Sequence, residues 1–377
     1  MKRISIVALI LCMCFVPAAL GQKTCPATVS WTEFHTTTMA RYNRCETVLG
    51  VNNVGSLQLK WTYQTGAQVG GSPAVVNGVV YFGSDDGSVR AVKADTGALL
   101  WSHYTGGGES SPAVANGVVY VGSWNGNVYA LNARTGAKLW NYITGADVHS
   151  SPLVAKGVVY IGSNDYNVYA LNASTGTLLW SYTTGNQVNS SPAIANGVVY
   201  VGSLDNNVYA LNADTGAKLW SYTTGGGIYS SPAVAYGVVY VGSQDNNVYA
   251  LNAKTGRKLW SYASGDWVQW SSPAVANGVV YVGSFDHNLY ALNAGTGALL
   301  WSYTTGYWVV SSPAVANGVV YVGSWYSGNN LFALDATTGA ELWTYSTGFY
   351  VSASPTVANG MLCVGSDTGR MYAFDLP

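Results

Sequence analysis

The sequence predicts an all-β chain folded as an eight-bladed β-propeller of four-stranded antiparallel blades, closed by an N-terminal strand that completes the last blade. Three observations carry that expectation. Tryptophans recur at Trp61, Trp101, Trp140, Trp180, Trp220, Trp260, Trp301 and Trp343, spaced by 39 to 42 residues. Each interval holds four strand-sized apolar pieces separated by Gly-containing turns, and a period near forty built from short apolar pieces is that of a propeller array. The Trp-bearing piece that the last unit lacks stands instead ahead of the first full set, at 57–65.

Within a unit, taking 190–225 as the type, the first piece "SPAVA" meets the second, "GVVYVGS", across an Asn-Gly step in six of the copies, at Asn77-Gly78, Asn116-Gly117, Asn196-Gly197, Asn277-Gly278, Asn317-Gly318 and Asn359-Gly360. Asn-Gly between apolar runs is a strong hairpin signal because both residues tolerate positive φ. The third piece, "NVYALNA", is followed by Thr-Gly and then by "KLWSYTT". Val, Tyr, Leu and Trp fill all four, so both faces of each small sheet are apolar and must stack on neighbours. Helical periodicity is absent, and Gly and Pro recur too often for long helices. The innermost strand starts at Pro73, Pro112, Pro152, Pro192, Pro232, Pro273, Pro313 and Pro355, giving eight units. Pairing the strand at 57–65 with the chain end seals the ring, whereas an open array would leave apolar faces and unpaired edges.

Of the 377 residues 49% are hydrophobic, 13% aromatic and only 9% charged, and 16 basic side chains face 17 acidic ones. That composition excludes a disordered chain. It also lacks the basic excess or stripe that a nucleic-acid partner would require.

Residues 1–21 open with Lys2 and Arg3, run through an apolar stretch and end in small residues, the pattern of a signal peptide cut before Gln22. The stretch is short for a membrane span, and Gln22 stands where a lipoprotein would need Cys. The expected product is secreted or periplasmic, with an extension at 22–56, the propeller at 57–377, no membrane span and a monomeric state. Of the cysteines left, Cys25 and Cys45 either close a short loop or stay as free thiols, and an oxidising compartment favours the bridge. Cys363 replaces a repeated Tyr and reads as a buried thiol.

The segment "ALNARTGAKLW" at 130–140 resembles the tryptophan-docking motif of quinoprotein-like (PQQ-repeat) propellers, an Ala-x-Asp-x-x-Thr-Gly-x-x-x-Trp pattern that recurs with small changes around the chain. Asp335 supplies the family's acid in one copy, Asn usually stands there, and Lys93 departs further. The stretch 41–61 is similar to the lead-in of secreted members, and the resemblance covers 57–377. It implies an eight-bladed propeller. Its members range from pyrroloquinoline-quinone dehydrogenases, which use PQQ with calcium, to non-catalytic scaffolds such as the propeller lipoprotein of outer-membrane assembly. Those dehydrogenases have longer chains and an adjacent cysteine pair, neither of which is present here.

The eight internal copies differ most in the loop entering the innermost strand and in the loop between the second and third strands, which should emerge on one face. The residues immediately before the innermost strand, Gly70, Glu109, His149, Asn189, Tyr229, Trp270, Val310 and Ser352, are expected to ring the mouth of the central channel. Asp147, Asn186 and Gln187 lie beside them on a polar arc, and Trp267, Tyr307, Trp308, Phe349 and Tyr350 on an aromatic one. Such a mouth suits a sugar, a flat cofactor or a peptide, unless the rings pack on each other and plug the channel. Asp86, Asp165, Asp205, Asp245 and Asp286 recur in the second loop and are expected to make turns through their own backbone rather than bind calcium. Glu33 and His35 have no visible partner and are expected in solvent. No zinc-ligand spacing, phosphate loop or nucleophile elbow occurs. The leading expectation is a non-enzymatic propeller that binds a protein or other partner at its varied face. A PQQ-dependent oxidoreductase and a carbohydrate-binding propeller are the alternatives.

Overall fold

The structure is a computed structural model and describes residues 25, 30–35, 40–108, 110–325, 328 and 330–377. The segment read as a signal peptide and Glu109 lie outside the described residues. Eight blades of four antiparallel strands stand around a central axis; seven are ordered from the axis outward as in sequence, and the last takes its outermost strand from Gln58–Gln64. In the fourth blade these strands are Ala193–Ala195, Val198–Gly202, Asn207–Asn212 and Lys218–Thr223. The Asn-Gly steps form the expected tight turns, with φ of 51° at Asn196 and 77° at Gly197. Among the described residues no helix is long and apolar enough to cross a membrane.

Closure follows the expected pairing. Gln58–Gln64 runs antiparallel to Arg370–Asp375, placing Trp61 opposite Ala373 and Leu59 opposite Phe374. Lys60 bonds Asp375 across this latch. Blades adhere through repeated contacts. Each fourth-strand Trp reaches into the next blade, as Trp180 does when its Nε1 donates to Ala213 O at 2.9 Å while the ring covers Gly216. Only Gly fits there, because its φ of 72° is left-handed and a Cβ would meet the indole at 2.7 Å. Between the fourth and fifth blades Tyr200, Val208, Ile228, Val239, Val241 and Leu251 share one buried core. Each such side chain contributes roughly 1.5–3 kcal/mol on burial.

The N-terminal extension departs from expectation. Glu33 and His35 are buried, not solvated. The innermost strands are three residues long and turn an unpaired edge toward the axis, and an unsatisfied buried N–H is costly. The extension supplies the partners. Trp31 exchanges two 2.8 Å bonds with Val75, Thr32 O accepts from Val114 N, Glu33 Oε2 accepts from Val154 N, Ala40 O from Val275 N and Arg41 O from Val315 N. Tyr42–Asn43 then adds as a parallel strand beside Ala314–Ala316. The described residues of the extension thus plug the channel, and on the Asn-Gly face Glu46 accepts from Gly360 N and Leu49 O from Asn317. Cys25 and Cys45 form a disulfide with Cα atoms 5.5 Å apart. Cys363 is a buried free thiol whose pKa burial pushes upward.

Arg41 anchors this plug. Its guanidinium donates to Phe34 O, Pro313 O and Pro355 O at 2.5–3.0 Å and stacks on the rings of Phe34 and Trp31. Burial pulls its pKa down to about 9, so it stays charged at neutral pH. Burial pushes the Glu33 carboxyl up to about 8 against one opposing backbone hydrogen bond. The His35 imidazole is drawn down to about 3, by burial first and by the Arg41 charge second. Its ring nitrogens face the Ser191 backbone without closing a hydrogen bond of good geometry.

Candidate functional site

On the face opposite the Asn-Gly turns the channel opens as a cavity of about 460 Å³ with a closed floor. Phe34, the turn of the plug, forms that floor. Above it stands a collar of serines, one from each blade: Ser72, Ser111, Ser151, Ser191, Ser231, Ser272, Ser312 and Ser354. Seven of them link the blades, each hydroxyl oxygen accepting the N–H of the collar serine one blade earlier at 2.8–3.0 Å. The collar is therefore structural on its acceptor side and the same in every copy.

Two rings of differing side chains rest on this uniform base. The upper ring comprises the positions before the innermost strand, and Gly70, His149, Asn189, Tyr229, Trp270, Val310 and Ser352 all line the cavity. A local device sets their direction. The apolar residue that precedes most of them docks on the Gly ending the previous blade's second strand, as Val148 does on Gly122, Val188 on Gly162 and Ile228 on Gly202. A Cβ on those glycines would lie 2.3–2.4 Å from the docked side chain. With that anchor buried, the following residue meets the axis.

The second ring occupies the position just before the recurrent Asp of the other varied loop. Asn164, Trp325 and Asp367 line the cavity, joined by Gln68 and Gln187. Sequence reasoning named Gln187 but not the others. The aspartates of the recurrent position do make turns: Asp205 Oδ1 accepts from Asn207 N, and its Oδ2 takes Gly185 N and the Tyr209 hydroxyl. The signal missed lay one residue earlier, where the eight copies read Asp85, Trp124, Asn164, Leu204, Gln244, Phe285, Trp325 and Asp367, six residue types in eight positions.

Several predicted residues stand outside the cavity. Asp147, Asn186, Trp267, Tyr307, Trp308 and Tyr350 sit on the surrounding rim rather than in the lining. The aromatic arc packs on itself but leaves the channel mouth open. Trp308 stacks on Phe285 at 5.0 Å and on Trp325 at 5.4 Å, and Tyr350 leans on Trp325 at 5.2 Å. Trp270 closes this wall against Phe285 and stays 44% exposed.

The electrostatics of the mouth are weakly acidic. Asp367 accepts from Ser352 Oγ at 2.5 Å and from Trp325 Nε1 at 3.1 Å, yet burial outweighs both bonds and raises its pKa. Burial lifts Asp85 to about 6 against a hydrogen bond with the Gln68 side chain, with smaller pushes from Asp367 and Asp86. His149 lies against Trp124 at 5.8 Å, and burial lowers its pKa against a smaller opposing pull from Asp147. No Lys or Arg appears among the described lining residues.

The described lining residues do not suit PQQ with calcium. The quinone is a polycarboxylate and would meet Asp367 without a cationic partner. No group of three or more His, Cys, Asp or Glu among the described residues is placed to hold a metal ion, and calcium takes six to eight oxygens.

Fold and mouth together define a PQQ-repeat propeller with a plugged channel and one open face. The chain belongs to the family described as outer membrane protein assembly factor BamB, whose pattern matches residues 55–112, 85–193, 183–306 and 263–376. A stretch of 57 residues is 40% identical to the dehydrogenase subunit of a quinone alcohol dehydrogenase from Gluconobacter oxydans (strain 621H), covering 15% of this chain and only 8% of that subunit. Among solved structures, a europium-containing methanol dehydrogenase is similar with a TM-score of 0.81 at 16% identity, over 92% of this chain and 98% of that one. BamB from Moraxella catarrhalis is similar with a TM-score of 0.73 at 20% identity, over 85% and 99%. At these identities the likeness is one of fold.

Proposed function

We propose that this protein is an exported, non-enzymatic binding propeller that holds its partner in the varied mouth. One observation carries the reading. The serines of the collar are the same in all eight copies, whereas the side chains mounted on them differ from blade to blade and converge on one cavity. Drift would scatter differences over all exposed loops, but the turns of the opposite face keep Asn-Gly in six of the eight copies and Thr-Gly between the third and fourth strands.

Export is supported by the leader-like pattern of residues 1–21 and by the Cys25–Cys45 disulfide, a bond of oxidising compartments. The family's description as an assembly factor favours a component of the cell envelope, protein or glycan, as partner, bound by a monomeric propeller. The test is to replace His149, Asn189, Tyr229 and Trp270 together by Ser and compare the set of envelope components retained by wild type and variant. Loss of specific components is expected, and an identical set would reject the mouth. The quinoprotein alternative is carried by the dehydrogenase relatives. Dye reduction by the wild-type protein supplied with PQQ and calcium would favour it over binding alone.

A further inference from the structure

The cavity lining has polar capacity that the protein leaves unspent. Seven collar hydroxyls, from Ser111 to Ser354, accept one backbone N–H each, and their own hydrogens go to no acceptor among the described residues. In the second ring Asn164, which lines the cavity, has its Oδ1 buried without a hydrogen-bond partner among the described residues. Leaving a buried polar atom unpaired is costly, and the collar hydroxyls and Asn164 Oδ1 present donors and an acceptor to the cavity. Across the cavity stands the exposed face of Trp270, continuous through Trp325 with the Asp367 carboxylate.

These features restrict the ligand's chemistry. A purely apolar molecule would strand the unpaired atoms. An anion would meet Asp367 with no Lys or Arg among the described lining residues to receive it. A hydroxyl is both donor and acceptor and serves either kind of group. The ligand that combines many hydroxyls with a flat C–H face for an indole is a sugar ring. The Phe34 floor makes the cavity blind, which suits a short saccharide or a chain end rather than a segment that must pass through. A volume of about 460 Å³ falls within the general range for ligand pockets.

We propose that the mouth binds a neutral oligosaccharide, with one pyranose ring on Trp270 and hydroxyls bonded to Asp367, Asn164 and Asn189. This rests on the mouth being the binding face and names the ligand class. The probes are cellotriose, maltotriose and chitotriose as neutral trisaccharides and trigalacturonate as the acidic one, titrated into the whole protein by calorimetry and tryptophan fluorescence. At least one neutral probe should bind and trigalacturonate should not. Trp270→Ala and Asp367→Asn should each weaken binding about tenfold or more, whereas Trp270→Phe keeps a stacking face and should retain part of it. Tyr236→Ala, on the opposite face where Tyr236 is 71% exposed, should leave affinity unchanged. Melting curves confirm that each variant is folded. Failure of every neutral probe, a preference for trigalacturonate, or binding that survives Trp270→Ala would overturn the proposal. If no saccharide binds but the four-serine variant still loses its envelope partner, the ligand class falls and the mouth stands. If saccharides bind and the four-serine variant does not weaken them, the mouth falls too.

Discussion

The buried Glu33 makes the stability of the ring depend on pH in a defined window. In the unfolded chain this carboxyl loses its proton near 4.5, and in the channel it holds it to about 8. Between those values the folded protein carries one more proton, so stability falls as pH rises, by roughly 1.4 kcal/mol per unit. His35 acts oppositely. Its unfolded form takes up a proton below 6.5 and its folded form only near 3, so it costs stability as pH falls through that range. The two slopes cancel between 4.5 and 6.5. Asp85 adds to the falling slope only below about 6. From pH 6.5 to 8 Glu33 acts alone, and the expected loss is about 2 kcal/mol. The assay is urea unfolding at both pH values for wild type and Glu33→Gln, which keeps an acceptor for Val154 N but does not titrate. The wild type should lose about 2 kcal/mol relative to the variant. Parallel profiles would refute the placement of Glu33 in a sealed channel.

Two further outcomes follow from the fold. Cys45→Ser, or reduction of the wild type, opens a loop of 20 residues and should cost about 3 kcal/mol, read as a lower melting temperature. An unchanged melting temperature would mean that the bridge constrains nothing. Gly202→Ala sets a Cβ 2.3 Å from Ile228 Cγ2 and should cost about 1–3 kcal/mol while displacing Tyr229 at the mouth. Gly197→Ala meets no atom within 4 Å but forces Ala to a φ of 77°, a conformational cost of about 1 kcal/mol, and should leave ligand affinity intact. Equal effects of the two on affinity would contradict the docking device.

Much of this architecture was legible because the chain contains its own alignment. The Trp spacing and the Asn-Gly turns report strands, and the piece displaced to 57–65 reports the latch, since an eight-unit ring with one missing strand has one economical closure. His149, Asn189, Tyr229 and Trp270 were legible by the same comparison, as positions that change where their neighbours do not. The second ring was hidden beside the repeated aspartates, whose constancy marks a turn while the residue before them varies. The plug was not legible from pattern at all. Residues 22–56 repeat nothing, and the groups that call Trp31, Glu33 and Arg41 inward are the free edges of innermost strands, which exist only once the ring is closed. Glu33 and His35 look like surface residues until that demand is known.

The most direct measurement is a crystal structure of the protein grown with whichever neutral trisaccharide binds best. A sugar ring lying on Trp270, hydroxyls at Asp367 and Asn164, and Phe34 unmoved beneath it is the expected result. Saccharide bound on the outer strands, or a channel from which the Trp31–Phe34 segment has withdrawn, would contradict a mouth that is blind, varied and built to bind.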